Sequence, residues 1–207
     1  MPKAVDHDER RGELADAVLR VVAGGGVRAV TLRAVAVEAD WSTGALNHYF
    51  NGKDDLLVGA LKRAMQIIRE KVAISQGLPS ARLALEQMLV HVLPVDDTRL
   101  AFARVWLSFC GEAVAGAEIR QYLADSDDLY RRDLADTVRR GQQAEEFDGS
   151  LDPYDVADTL AALVQGMATR TIIQGQGARP DHFEDAVQGW VRAFAPARIA
   201  AKESLTL

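Results

Sequence analysis

Apolar residues recur three and four positions apart along nearly the whole chain, and no stretch alternates as a half-buried strand would. After a loose arm over residues 1–7, the spacing predicts a helix over 8–23 with Leu14, Val18, Val21 and Val22 on one side, ended by Gly24-Gly25-Gly26. Thr31 can cap a short helix whose apolar members are Leu32, Val35 and Ala36, and Asp40 suits a left-handed turn after it. Ser42 can cap a second short helix with Ala45, Leu46, Tyr49 and Phe50 apolar. A break at Asn51-Gly52-Lys53 then precedes a long helix over 53–75, with a wide stripe of Leu56, Leu57, Ala60, Leu61, Ala64, Ile67, Ile68 and Val72.

The clearest break is Gln76-Gly77-Leu78-Pro79-Ser80. Beyond it the pattern gives a helix over 80–92, a stop at Pro94, and a helix capped by Asp97 or Thr98 that is apolar nearly all round over 100–110. A longer helix follows over 117–146, its outer face carrying Arg131, Arg132, Asp136, Arg139 and Arg140 as solvated ion pairs. Asp152-Pro153 opens a helix reaching 174, and the last helix covers 181–194. The expected fold is therefore all-α: a three-helix unit over 1–52, and a helical body over 53–207 whose first helix, 53–75, links the two.

Two short helices joined by a turn of three to four residues form a helix-turn-helix, whose second helix enters the DNA major groove. That helix holds small or polar residues, Thr43, Gly44, Ala45, Asn47 and His48, which permit close approach to a duplex. Thr and Asn can hydrogen-bond base edges or phosphates, and Ala45 can meet a thymine methyl. The free N–H groups at the start of the next helix, with Lys53, suit a phosphate. On spacing alone, two helices of an ordinary bundle explain the pattern equally well.

Several features in one order resolve that choice. The helix over 9–23, the break Gly24-Gly25-Gly26, Val30-Thr31-Leu32-Arg33 with Val35-Ala36, Trp41-Ser42-Thr43-Gly44-Ala45-Leu46, His48-Tyr49-Phe50 and Lys53-Asp54-Asp55-Leu56-Leu57 together resemble the N-terminal domain of the tetracycline-repressor (TetR) family of bacterial regulators. The resemblance covers roughly residues 10–60. The run Ser-Thr-Gly followed by Asn-His-Tyr-Phe is similar to the choline-responsive repressor branch. Two departures stand out. Asp40 replaces the glycine usual in the turn, and Asn47 stands where an aromatic commonly precedes the histidine, which puts one phosphate-contacting tyrosine in doubt and offers a side chain able to read adenine.

The resemblance implies a repressor that binds a pseudo-palindromic double-stranded operator as a homodimer and is released by a small-molecule effector. It assigns DNA contacts to Arg28, Thr31, Arg33, Ser42, Thr43, Gly44, Ala45, Asn47, His48, Tyr49 and Lys53. A solvated loop arginine is an equal reading of Arg28. The aromatic central helix points to an effector site lined by Phe102, Trp106, Phe109, Cys110, Tyr122, Gln165 and Thr169, with His91 and Arg104 orienting the ligand. Trp and Tyr there would suit a quaternary ammonium, although an aromatic stripe at helical spacing serves as ordinary core as well. For the dimer interface the stripes Val164, Ala168 and Ile172, and Phe183, Val187, Trp190, Val191 and Phe194, are expected. Packing inside one chain is the alternative.

Charge tempers the picture. The chain carries a net charge of -6, and its first 55 residues hold nine acids against seven bases. Weak non-specific binding is expected, with helix N-termini, hydroxyls and a few basic residues meeting phosphates. A hydrophobic fraction of 48% supports a packed body, and the single cysteine, Cys110, excludes an intrachain disulfide. No signal-peptide core, membrane-spanning run, metal-ligand spacing or cofactor motif occurs, so a cytoplasmic protein without cofactor or metal is expected. Enzyme classes lack their parts, with four histidines, no Glu-x-x-His pair and no phosphate-cradling glycine loop. A helical adaptor for protein partners is the remaining alternative, needing neither DNA-facing Thr43 and His48 nor a cavity.

Overall fold

The computed structural model describes residues 3–113, 117–175 and 180–196, and among these every regular element is helical. In chain order they are α1 (Lys3–Gly25), α2 (Leu32–Ala39), α3 (Thr43–Leu46), α4 (Lys53–Gln76), α5 (Ala81–Val92), α6 (Asp97–Ala113), α7 (Ala117–Gln143), α8 (Pro153–Gln174) and α9 (Pro180–Arg192), with a short 3-10 turn at Val27–Ala29.

Local chemistry sets the helix ends. The Thr31 side chain accepts from the Ala34 N–H and Ser42 from the Ala45 N–H, while Asp40 adopts φ 58, the left-handed conformation that closes α2. Each such cap contributes about 1 kcal/mol. Ser80 caps α5 and Asp152 caps α8 ahead of Pro153. Asp96, rather than Asp97 or Thr98, caps α6 by accepting from the Arg99 N–H at 2.8 Å. α1 starts at Lys3, so the expected loose arm is helical from that point; nothing in residues 3–7 breaks a helix, and acids near its start favour it. Its end also comes later than expected, since Gly24 and Gly25 stay helical and Gly26 turns the chain at φ 71. α7 ends at Gln143, where Glu145 turns left-handed at φ 56. That turn frees Glu146 to accept from Ser80 Oγ and the Ala81 and Arg82 N–H groups at the head of α5.

Two apolar cores result. The first joins α1, α2 and α3 to the front half of α4, and runs on into α6 through Ala101, Phe102, Val105 and Phe109 and into α7 at Leu123. Residues 1–52 thus supply only part of it. Polar clamps surround this head: Arg63 grips Asp16 with two bonds of 2.8 and 3.0 Å, and Arg20 reaches Glu38 at 2.7 Å. The second core centres on α5, ringed by the end of α4 and by α7, α8 and α9.

That second core corrects part of the expected dimer stripe. Phe183, Val187 and Val191 are 3, 1 and 0% exposed within one chain, closed off by α5, so they have no surface left for a partner. Val164 is likewise buried at 2%. The physical reason is that α5 had already supplied the cover that a terminal helix seemed to lack. Among the described residues, no helix is long and apolar enough to cross a membrane.

Candidate DNA-binding surface and effector cavity

The head presents its second short helix outward. Ser42, Thr43, Gly44, Asn47 and His48 are exposed, while Leu46 and Phe50 are buried and anchor the helix from beneath. α3 is a single turn; beyond it the chain continues through tighter bonds, His48 N–H to Ala45 O and Tyr49 N–H to Leu46 O. Ala45 and Tyr49 are half-buried. The Tyr49 ring stands edge-on to Trp41 at 5.5 Å and beside His7 at 4.7 Å, so its placement is fixed by both α1 and the turn. Arg11 donates to Tyr49 O at 2.7 Å and to Asp55 at 2.8 Å, tying α1, the segment after α3 and α4 together.

The remaining expected DNA contacts, Arg28, Thr31, Arg33 and Lys53, are all exposed. Lys53 opens α4 behind Gly52, a cap at φ 103 with no side-chain bond. The first-turn N–H groups there therefore lack a side-chain acceptor from the cap, the arrangement that receives a phosphate. Thr31 already spends its hydroxyl on the α2 cap.

In the body a cavity of about 190 Å³ lies among α4, α6, α7 and α8. Phe102, Trp106, Cys110, Gln165 and Thr169, five of the expected lining residues, do line it. Phe109 and Tyr122 do not: both pack in the first core, on the head side of α6 and α7. Arg104 is also elsewhere. Its Nη1 donates to Val22 O and Ala23 O at 3.1 and 2.8 Å, closing the end of α1. His91 stands 3.1 Å from Ser75 Oγ and outside this cavity; burial, with Arg99 and Lys71 adding to it, depresses its pKa to about 4.

The wall also holds residues that sequence reasoning passed over, Asp127, Tyr130 and Asp133 of α7 and Arg69 of α4. Asp127 is met by Arg131 Nε at 3.1 Å and by Gln165 Nε2 at 2.7 Å. Asp133 accepts from Gln76 Nε2 at 3.0 Å, and burial pushes its carboxyl above the usual range, with Asp136 adding to the effect. Tyr130 donates to Met88 O at 3.2 Å, and its buried phenol is shifted upward as well. The Cys110 thiol is raised by burial, which keeps it protonated and unreactive. Ser126, Tyr130 and Asp133 lie three and four apart, a polar stripe on an otherwise charged helix. That spacing was the available signal, and the abundance of charge on α7 hid it.

The chain matches two family models, "Bacterial regulatory proteins, tetR family" over residues 14–60 and "BetI-type transcriptional repressor, C-terminal" over residues 81–196. It is 26% identical to the transcriptional regulator PksA of Bacillus subtilis over 197 residues, 94% of each chain. To the regulator BetI of Burkholderia thailandensis it is 30% identical over 186 residues, 84% of this chain and 88% of that one. Among solved structures, a regulator from Saccharomonospora viridis in complex with choline superposes with a TM-score of 0.76 at 25% identity, covering 89% of this chain and 96% of that one. FadR of Bacillus subtilis, bound to stearoyl-CoA, shares the fold with a TM-score of 0.66 at 19% identity, over 86% and 96% of the two chains.

Proposed function

The chain belongs to the TetR family of bacterial transcriptional regulators, with a body of the BetI type, and from that premise we propose that it is a dimeric repressor released from its operator by a small cationic effector. The observation that carries the DNA half is the outward Thr43–His48 segment on a buried Leu46–Phe50 anchor. Thr43, Asn47 and His48 read base edges, Ala45 meets a methyl, and the α4 start with Lys53 takes a phosphate. Residues 1–52 form the DNA-facing unit, and α4 joins it to the body. Two such helices about 34–36 Å apart match successive major grooves of a pseudo-palindrome.

For the dimer, the open side of α8 replaces the stripe that α5 covers. Ala162, Leu163, Gly166, Arg170 and Ile173 share one exposed helical face, and Leu163 and Ile173 are 38 and 76% exposed. Small residues among large apolar ones suit close packing on a twofold mate.

For the effector, three aromatic rings, Phe102, Trp106 and Tyr130, and two carboxylates line one cavity with a single basic residue, Arg69, which is exposed. Aromatic faces and acids together favour a cation. At about 190 Å³ the cavity lies below the ~300–1,000 Å³ of sites for larger ligands. Choline, the ligand of the Saccharomonospora viridis structure, is of the right size and charge.

Titration of a labelled fragment of the chain's own promoter tests this at several salt concentrations, with choline, its neutral tert-butyl analogue and a carboxylate as additives. A specific complex of two chains per site, dissolved by choline alone, is expected. Absence of any specific complex removes the regulator reading, and release by the carboxylate but not choline reassigns the effector to Arg69.

A further inference from the structure

The two carboxylates of the cavity wall are not equivalent. Asp127 is paired with Arg131, a guanidinium it shares with Asp128 and Asp158, and is also held by Gln165. Asp133 is bonded to an uncharged amide, that of Gln76, and its carboxylate is partly withdrawn from water beside another acid, Asp136. A cation entering the cavity can therefore pair with Asp133, which is engaged by an amide and not by a basic side chain.

Gln76 is the last residue of α4. The same helix begins beneath the recognition segment, where Leu56 and Leu57 are built into the head core. Its far end is held to α7 at two atoms of one residue: the Gln76 side chain donates to Asp133, and the Gln76 carbonyl accepts from Arg140. Asp133 thus faces the effector space and fastens the helix that leads to the DNA-facing unit.

We propose that Asp133 is shared between α4 and the effector: the carboxylate that holds the Gln76 amide is the one an entering cation takes, loosening the end of α4 to the single bond from Arg140 to the Gln76 carbonyl. This rests on the cationic effector proposed above and adds the residue that reads it and the bond it breaks. The competition has a definite sign. The cation must displace the Gln76 amide, so the amide weakens effector binding and, by reciprocity, effector binding weakens the hold on α4. Removing the amide should tighten effector binding while shrinking the effect of effector on DNA. Removing the charge should instead weaken effector binding, because asparagine still accepts from Gln76 but gives a cation little.

Three proteins decide it: wild type, Asp133→Asn and Gln76→Ala. Choline affinity is measured by calorimetry without DNA, operator affinity is measured with and without choline, and thermal melting checks the fold. Asp133→Asn is expected to keep operator binding and melting temperature while losing at least about tenfold in choline affinity, as loss of a charge-assisted bond implies. Gln76→Ala is expected to bind choline several-fold more tightly and to show a smaller ratio of operator affinities without and with choline. Unchanged choline affinity in Asp133→Asn overturns the proposal, and so does weaker choline binding in Gln76→Ala. If wild type itself ignores choline, the cationic effector reading fails together with this one. If wild type responds and both variants respond alike, only the shared carboxylate fails.

Discussion

Gly59 sits on α4 directly under the ring of Phe50, the residue that closes the recognition segment, and Gly59→Ala probes how tightly that segment is set. A Cβ at this position would lie 2.6 Å from Phe50 Cε1 and 3.2 Å from Cζ. The ring has nowhere to go. It is 1% exposed, and the Arg11 guanidinium sits 4.4 Å from its centroid, itself fixed by Tyr49 O and Asp55. Overpacking of this kind costs about 1–3 kcal/mol, against which alanine recovers about 1 kcal/mol of helix preference. Gly12→Ala in α1, with nothing within 4 Å of the added Cβ, carries the preference without the clash. The two variants should therefore differ by about 1–3 kcal/mol in unfolding free energy, with Gly12→Ala the more stable. Urea denaturation at matched protein concentration reads the difference, and operator titration reads its consequence, since a displaced Phe50 drags Tyr49 and His48 with it. Phe50→Leu placed on Gly59→Ala should restore part of the loss. Equal stability and equal operator affinity for the two alanine variants would refute the claim that this contact sets the reading helix.

Gly166→Trp meets nothing within 4 Å of its Cβ in one chain, so the subunit should fold normally; sedimentation should show it monomeric, with operator affinity reduced, if the open face of α8 is the interface. Arg104→Met removes the donor that closes Val22 O and Ala23 O but keeps the aliphatic stem; a loss of about 1–3 kcal/mol in stability is expected, read by thermal melting. His91 has its pKa lowered from 6.5 to about 4, so the unfolded chain binds a proton that the folded one refuses between those values. Its contribution is complete above pH 6.5 and is lost as pH falls toward about 4; His91→Gln should flatten that part of the stability profile relative to wild type.

The head was legible because its signals are local. Thr31, Ser42 and Asp40 act within a few residues of themselves, so capping and turn chemistry could be read without knowing the fold. The same holds for Asp152-Pro153 and for the apolar run of α6. What escaped was non-local. Glu146 had to leave α7 to cap α5, a partnership across more than sixty positions that no spacing announces. The Phe183 stripe looked uncovered only because α5, far earlier in the chain, was not known to lie beside it. Arg104 is expected from the sequence to orient a ligand, yet its partners are carbonyls at the end of α1. Cavity residues divided in the same way: α6 gave Phe102, Trp106 and Cys110, whereas Asp127 and Asp133 were lost among the many charges of α7.

α6 gives the cavity a second route to the head. Phe102, Ala103, Trp106 and Cys110 line the cavity, while Ala101, Val105 and Phe109 of the same helix belong to the head core and Arg104 grips the end of α1. One helix thickness separates the cavity from the head core. Magnitudes argue that both routes are needed. Moving an equilibrium from 1:99 to 99:1 takes about 5.5 kcal/mol of differential affinity, and the single Asp133–Gln76 bond offers only about 1.5–3 kcal/mol. Repacking along α6, which touches both the cavity and the end of α1, is the expected source of the rest. Gln76→Ala and Arg104→Met should then each weaken the response of operator binding to choline, and together they should weaken it by more than either alone. If Gln76→Ala by itself abolishes the response while Arg104→Met leaves it whole, the signal runs through α4 alone and α6 is only a wall.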